Sequence, residues 1–230
     1  IPVRAYEKYK VYIERVRKGE SNIIWPGKPA YFCKTSGTTS GVKYIPIFKN
    51  AIKTHTNSAR DSILNYILNT GDTNFIKGKQ IFIQGSPILK NQNGIKIGRL
   101  SGIVAHHVPF YLRHSRMPSW DVNSIEDWEE KINAIVDQTI NQNMTLISGI
   151  PPWVQMYFEK IIEKSGKQIG DVFKNFSLFI YGGVSFKPYK KIFDELIGRK
   201  VNSIEVYPAS EGFFAFQDQI DNDSMLLILN

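Results

Sequence analysis

Nine consecutive residues, Thr35-Ser36-Gly37-Thr38-Thr39-Ser40-Gly41-Val42-Lys43, carry the densest concentration of chemistry in the chain. Glycine lets the main chain approach an anion closely and adopt positive φ, the hydroxyls add donors beside the amide N–H groups, and Lys43 supplies a compact positive charge. Those are the parts needed to wrap a backbone around phosphates, so the stretch points to nucleotide chemistry. A Walker A loop needs four residues between its glycines and then Gly-Lys-Ser/Thr; here three residues separate Gly37 from Gly41 and Val42 precedes Lys43, which rules that form out. A surface loop can have the same composition, and a second motif has to decide.

Tyr207-Pro208-Ala209-Ser210-Glu211 is that second motif. It offers an aromatic ring able to stack on a base, a small residue permitting close approach, a hydroxyl, and a carboxylate that could hold Mg²⁺ through oxygen. Gly182-Gly183, taken alone, reads as an ordinary turn. His106 and His107 are expected to point to opposite faces of a strand, one packed or lining a pocket and one exposed, which does not suit a shared metal ion. His55 and His114 are isolated. Arg99, Arg113 and Arg116 lie between the motifs, where any of them could pair with a carboxylate, but surface arginine is the default. Cys33 reads as a small buried hydrophobe without chemistry.

The elements that must position these residues follow from periodicity. Tyr6 to Arg17 reads as an amphipathic helix stopped by Gly19. Ala30 to Lys34 reads as a strand feeding the phosphate loop, and Tyr44 to Phe48 as a strand leaving it, with Pro46 favouring an edge. Lys49 to Leu68 is helical, Gln80 to Ile83 a strand, and Gly94 to Val108 a hairpin or irregular loop. Ser124 with Asp127 resembles a capping box opening a helix to Asn141. Met144 to Ser148, Phe176 to Tyr181 and Ser203 to Tyr207 read as strands, alternating with helices from Pro151 to Lys164 and Lys187 to Ile197. Phe213 to Gln217 and Ser224 to Leu229 complete the chain as an antiparallel pair. Alternation with short connections implies a mainly parallel sheet covered by helices, an α/β layered fold. Its strand exits at Ser148 to Pro151, Gly182 to Ser185 and Tyr207 to Glu211 then line one crevice at the carboxyl edge.

Composition bounds the rest. With 230 residues, 42% of them hydrophobic, the chain can bury a substantial core, which excludes disordered and fibrous classes. No apolar run reaches the length of a membrane span, and Ile1-Pro2-Val3 shows neither a start residue nor a signal pattern. The single cysteine excludes an internal disulfide and a cysteine-based metal cluster, so a reducing cytoplasm is the expected location. The net charge of +8 is spread along the chain, with small clusters only at Lys187 to Lys191 and Arg4 to Lys18. That is a weak footprint for nucleic acid, and a field attracting ATP or acidic substrates accounts for it equally well. Both ends look cut, so the expectation is one incomplete domain over residues 1–230.

The first motif resembles the phosphate loop of the adenylate-forming superfamily, which includes acyl-CoA synthetases and luciferases. Within it the chain resembles the Gretchen Hagen family of auxin-responsive acyl acid amido synthetases, of which bacterial members are known. The likeness covers nearly the whole chain. It rests on Ile1-Pro2-Val3 before Tyr6, Thr35 to Lys43, Trp128 to Ile132 leading to Ile147 through Trp153, Gly182-Gly183, and Tyr207 to Glu211. Two departures stand out: Thr35 replaces the family's usual first serine, and Pro208-Ala209 replaces small residues, Pro208 removing a backbone N–H.

The resemblance implies the major part of an N-terminal ATP- and acid-binding domain of a truncated, bacterial member, lacking the C-terminal lid. It also implies ATP and Mg²⁺ as cofactors, a small carboxylic acid as substrate and an amino acid as acceptor, with neither nucleic acid nor membrane as partner. On matching positions, Thr35, Ser36, Gly37, Thr38, Thr39, Ser40 and Gly41 would surround phosphates, and Lys43 would offset charge on departing pyrophosphate. Tyr207 would pack on adenine, with Gly182, Gly183 and Ser210 beside it, and Glu211 would hold the metal. Lys43 and Glu211 are thus the implied catalytic pair. A thioester-forming adenylating ligase and a non-catalytic nucleotide- or nucleic-acid-binding module are the alternatives.

Overall fold

The computed structural model describes residues 3–37, 41–220 and 222–229. Helix α1 (Tyr6–Arg17) has the expected bounds, buries Ile13 and Val16, and stops before Gly19 at φ +99°. Strands β1 (Tyr31–Gly37) and β2 (Gly41–Ile47) form an antiparallel hairpin, followed by the long helix α2 (Lys49–Thr70), which ends at Gly71 in the left-handed region. After β3 (Lys79–Ile83) come β4 (Lys90–Gln92), β5 (Ile95–Gly98) and helix α3 (Leu100–Ala105). The stretch expected to be a hairpin or irregular begins with the returning strand of the antiparallel β4/β5 pair, as a hairpin requires, and then turns into a helix that was not expected. His106 caps α3 and His107 follows it, so the two histidines leave a helix end and not a strand.

Short β6 (Arg116–Met117) and α4 (Trp120–Ser124) lead to α5 (Trp128–Thr139). The cap of α5 is Asp127, whose carboxylate accepts from the Glu130 amide at 2.8 Å. Ser124, expected to be the cap, instead closes α4 by donating its hydroxyl to the Trp120 carbonyl. Both residues fit an N-cap by type; the turn at Ile125, ψ 128°, separates the two helices and decides between them. Apart from one short helix, the remainder alternates as read: β7 (Met144–Gly149), α6 (Pro151–Ser165), the short and unexpected α7 (Ile169–Val172), β8 (Leu178–Gly182), α8 (Lys190–Ile197), β9 (Asn202–Ala209), β10 (Gly212–Gln217) and β11 (Met225–Leu227).

Two sheets result. The larger has the order β11-β10-β9-β8-β7-β3-β6, with β6, β3, β7, β8 and β9 parallel and β10 and β11 added antiparallel. Successive side chains alternate faces, and both faces are buried. Phe179 and Tyr181 of β8 join Ile147, Phe158 and Phe193 under α5, α6 and α8. Leu178 and Ile180 turn the other way, to Tyr66 of α2 and Ile204. The second sheet, β2-β1-β5-β4, was not anticipated. It lifts the hairpin out of the main sheet and leaves Pro46 on an edge strand, where its missing N–H costs no ladder bond.

Candidate nucleotide site

The phosphate-type motif lies at the far end of the β1/β2 hairpin. Thr35 pairs with Lys43, Ser36 with Val42, and Gly37 with Gly41, which has φ +75°. A left-handed backbone at the start of the returning strand is what glycine permits at no steric cost. Thr38, Thr39 and Ser40 lie outside the described residues. Thr35 is half-buried, and the ammonium of Lys43 rests 5.4 Å from the centre of the Tyr6 ring on α1. Both residues are half-buried, and a cation–π contact at this distance is a weak tie.

The hairpin approaches the β9 exit directly. Cys33 of β1 donates its thiol to the Ser210 hydroxyl at 3.0 Å, across 177 residues of sequence. Cys33 precedes Thr35 by two strand residues on the same face, about 7 Å along the strand. Glu211 is next to Ser210, is exposed, and lies close enough to Cys33 for its charge to act on the thiol. Burial is the main cause that pushes the Cys33 thiol up from its ordinary value, so it stays protonated and structural. Helix α2 backs the same corner: His55 meets the Phe213 ring edge-on at 6.4 Å, at the start of β10.

A shelf for a flat ring adjoins this corner. Gly182 pairs with Val206 in the β8/β9 ladder, which sets Gly183 level with Tyr207. A Cβ on Gly182 would stand 2.2 Å from the Val206 carbonyl oxygen, so only glycine lets the strands meet here. Gly183 has φ +85°, and its site is otherwise open apart from Ile150 of the β7 exit. Tyr207 is 53% exposed, touched on one side by the Phe214 ring at 5.6 Å, and so retains a free ring face. Beneath the shelf, burial pushes the Tyr181 hydroxyl up to about 12, with the charges of Glu205 and Asp223 adding to it. Burial also raises Glu205, helped by Asp223 and opposed by Lys187, which pairs with Asp223 at 3.0 Å.

The sequence reading did not single out Cys33 as the residue joining the two motifs, nor Glu205 and Asp223 beneath the shelf. The former is a contact between distant segments, and the latter depend on the β9 to β11 turns. Arg116 is half-buried and tied to the Ala105 carbonyl at 3.1 Å, which makes it a structural brace between β6 and α3. His106 is exposed and bonded to the Pro87 carbonyl, while His107 lines a cavity, so the expected division between the pair holds in a different local setting.

The profile of the GH3 family N-terminal domain matches residues 1–127, more than half of the 230-residue chain. The chain belongs to the GH3 family. Solved structures agree on the GH3 fold. GH3.15 acyl acid amido synthetase matches with a TM-score of 0.69 at 12% identity, covering 96% of this chain and 48% of that one. AtGH3.15 acyl acid amido synthetase in complex with 2,4-DB matches with a TM-score of 0.71 at 11% identity and the same coverage, 96% and 48%. The chain thus spans about half the length of the GH3 structures it matches, and at these identities the likeness is one of fold. No curated protein matches it.

Proposed function

We propose that the protein activates a carboxylic acid with ATP, forming an acyl-adenylate and releasing pyrophosphate, and then passes the acyl group to an amino acid nitrogen as an amide, releasing AMP and the amine proton. The observation that carries this reading is the Cys33 to Ser210 contact, which sets the phosphate-type hairpin beside the turn bearing Glu211 in a GH3 family chain. Because the chain spans about half of the amido synthetases it matches, both half-reactions are proposals about the whole protein, with residues 1–230 as its ATP- and acid-binding part.

In the first half-reaction an acid oxygen attacks the α-phosphorus and the bond to pyrophosphate breaks. A carboxylate already carries its nucleophilic oxygen, so no general base is needed. Catalysis is then electrostatic positioning: main-chain N–H groups and hydroxyls from Thr35 to Gly41 hold phosphate oxygens, and Lys43 offsets charge on the leaving pyrophosphate. Tyr207 packs on adenine over the bare Gly182-Gly183 shelf, with Ser210 at its edge.

Mg²⁺ fits this donor set in a limited way. Among the described residues no group of three or more His, Cys, Asp or Glu side chains could cage an ion. Glu211 supplies one exposed carboxylate, as suits an ion that takes its remaining ligands from phosphates and water. When bound, the ion would neutralise phosphate charge.

Acid-dependent exchange of labelled pyrophosphate into ATP tests the reading. Exchange is expected with the wild type and lost in Lys43→Ala and Glu211→Ala; silence with every acid in a broad panel would falsify the ligase assignment. Offering the activated acid an amine and a thiol separates amide from thioester formation, and amide is expected.

A further inference from the structure

A second cavity, of about 410 Å³, lies between β1, α2 and the end of α3, and it shares no lining residue with the nucleotide crevice. Its polar lining is basic. Lys49 and Lys53 extend from the first two turns of α2, and His107 and Tyr31 close the opposite side. Ile52 and the Tyr31 ring add apolar surface, and Thr56 a hydroxyl. No aspartate or glutamate is among these lining residues.

Lys49 and Lys53 stand four residues apart on one helix face, a spacing at which like charges destabilise the helix. Some helical lysines are paired, Lys160 with Glu163 and Lys190 with Asp194. Among the described residues neither Lys49 nor Lys53 has an ion-pair partner. A third lysine, Lys96, sits beside Tyr31 in the β5/β1 ladder and acts on His107. The Tyr31 hydroxyl lies 2.9 Å from His107 Nε2, and the two rings meet edge-on. Burial, His106 and Lys96 hold His107 below its ordinary value, so the ring is neutral at pH 7. In the neutral ring either the phenol donates to Nε2 or Nε2–H donates to the phenol oxygen, according to the tautomer.

We propose that this cavity is a second anion site, taking a small molecule that bears a carboxylate or a phosphate on a compact apolar body. Two lysines on one helix face that line the cavity without ion-pair partners supply the attraction, the Ile52 and Tyr31 surfaces supply the apolar contact, and the volume lies in the range of small-ligand pockets. The site is independent of the nucleotide reading, because neither Lys43 nor Glu211 lines it.

Calorimetric titration with benzoate, phenyl phosphate and neutral benzyl alcohol tests this. Both anions are expected to bind at least about tenfold more tightly than the alcohol, with the tighter of the two naming the headgroup, as charge-assisted contacts require. The exposed pair Lys49→Ala/Lys53→Ala should weaken both anions by about tenfold, whereas Lys43→Ala should leave them unchanged and saturating Mg·ATP should not displace them. Independently of any variant, ring ¹⁵N resonances of His107 should shift on adding benzoate while those of buried His55 stay fixed. No binding of either anion at millimolar concentration, equal affinity for the alcohol, an unaffected double variant, or displacement by Mg·ATP would each overturn the proposal. Loss of pyrophosphate exchange in Lys43→Ala with anion binding intact would keep the two sites apart.

Discussion

Replacing Lys131 with methionine isolates the cost of a buried ammonium group. Lys131 is 1% exposed within α5, and its Nζ donates to the Asn123 carbonyl at 2.5 Å, tying α5 to α4. No carboxylate pairs with it among the described residues. Burial lowers its pKa from 10.5 to about 8. Between those values the unfolded chain holds a proton that the native protein has released, so stability rises with pH. The penalty is fully present below the native pKa and disappears above the unfolded one. Integrating proton linkage from about pH 7 to about pH 10 gives a gain of about 2.5 kcal/mol for this group.

Burial of Tyr66 and Tyr181, each pushed up to about 12, and of Cys33 works the opposite way as pH rises. The quantity to measure is therefore the difference between wild type and Lys131→Met, in which those contributions cancel. Methionine keeps the length and loses the charge, leaving the Asn123 carbonyl without its donor at a pH-independent cost of about 1–3 kcal/mol. Urea unfolding across this pH range should show the gap moving in favour of the wild type by about 2.5 kcal/mol. A gap constant to within about 0.5 kcal/mol would show that Lys131 is not desolvated as described.

Other perturbations have equally definite outcomes. Gly182→Ala forces a Cβ to within 2.2 Å of the Val206 carbonyl oxygen and should cost about 1–3 kcal/mol in urea unfolding, with a lowered affinity for ATP; unchanged values would remove the close-approach role. Asp127→Ala should cost about 1 kcal/mol and speed amide exchange in the first turn of α5, whereas Ser124→Ala should leave that turn protected. The buried thiol of Cys33 should react with a disulfide reagent only as fast as the protein opens; labelling at the rate of a free cysteine would place it at the surface.

Much of this architecture was legible because it is local. The three- and four-residue spacing of Tyr6, Tyr9, Ile13 and Val16 set α1, and the alternation from Met144 onward set the parallel β7, β8 and β9. What escaped depends on distant partners. Helix α3 was hidden by Gly98 and Gly102, which read as loop punctuation, yet Gly102 is small because a Cβ there would meet the Ser86 carbonyl at 2.8 Å. The smaller sheet joins β1 to β5, and neither strand's pattern announces its partner. At the candidate site the sequence displayed the donor types, the glycines and the carboxylate. It did not display the contact between Cys33 and Ser210 that brings the segments together, because a lone cysteine in an apolar strand reads only as core. The cavity beside Tyr31 went unread for the same reason: Lys49, Lys53 and His107 meet only after α2 and α3 have folded against β1.

The central claim is that one ATP molecule occupies both the hairpin and the β9 exit. Hydrogen exchange read by mass spectrometry during a titration with Mg·ATP tests it most directly. Peptides covering Thr35 to Lys43 and Tyr207 to Gly212 should gain protection together, with one shared midpoint, and Lys43→Ala should shift that midpoint for both. Protection confined to one segment, or two separate midpoints, would contradict it.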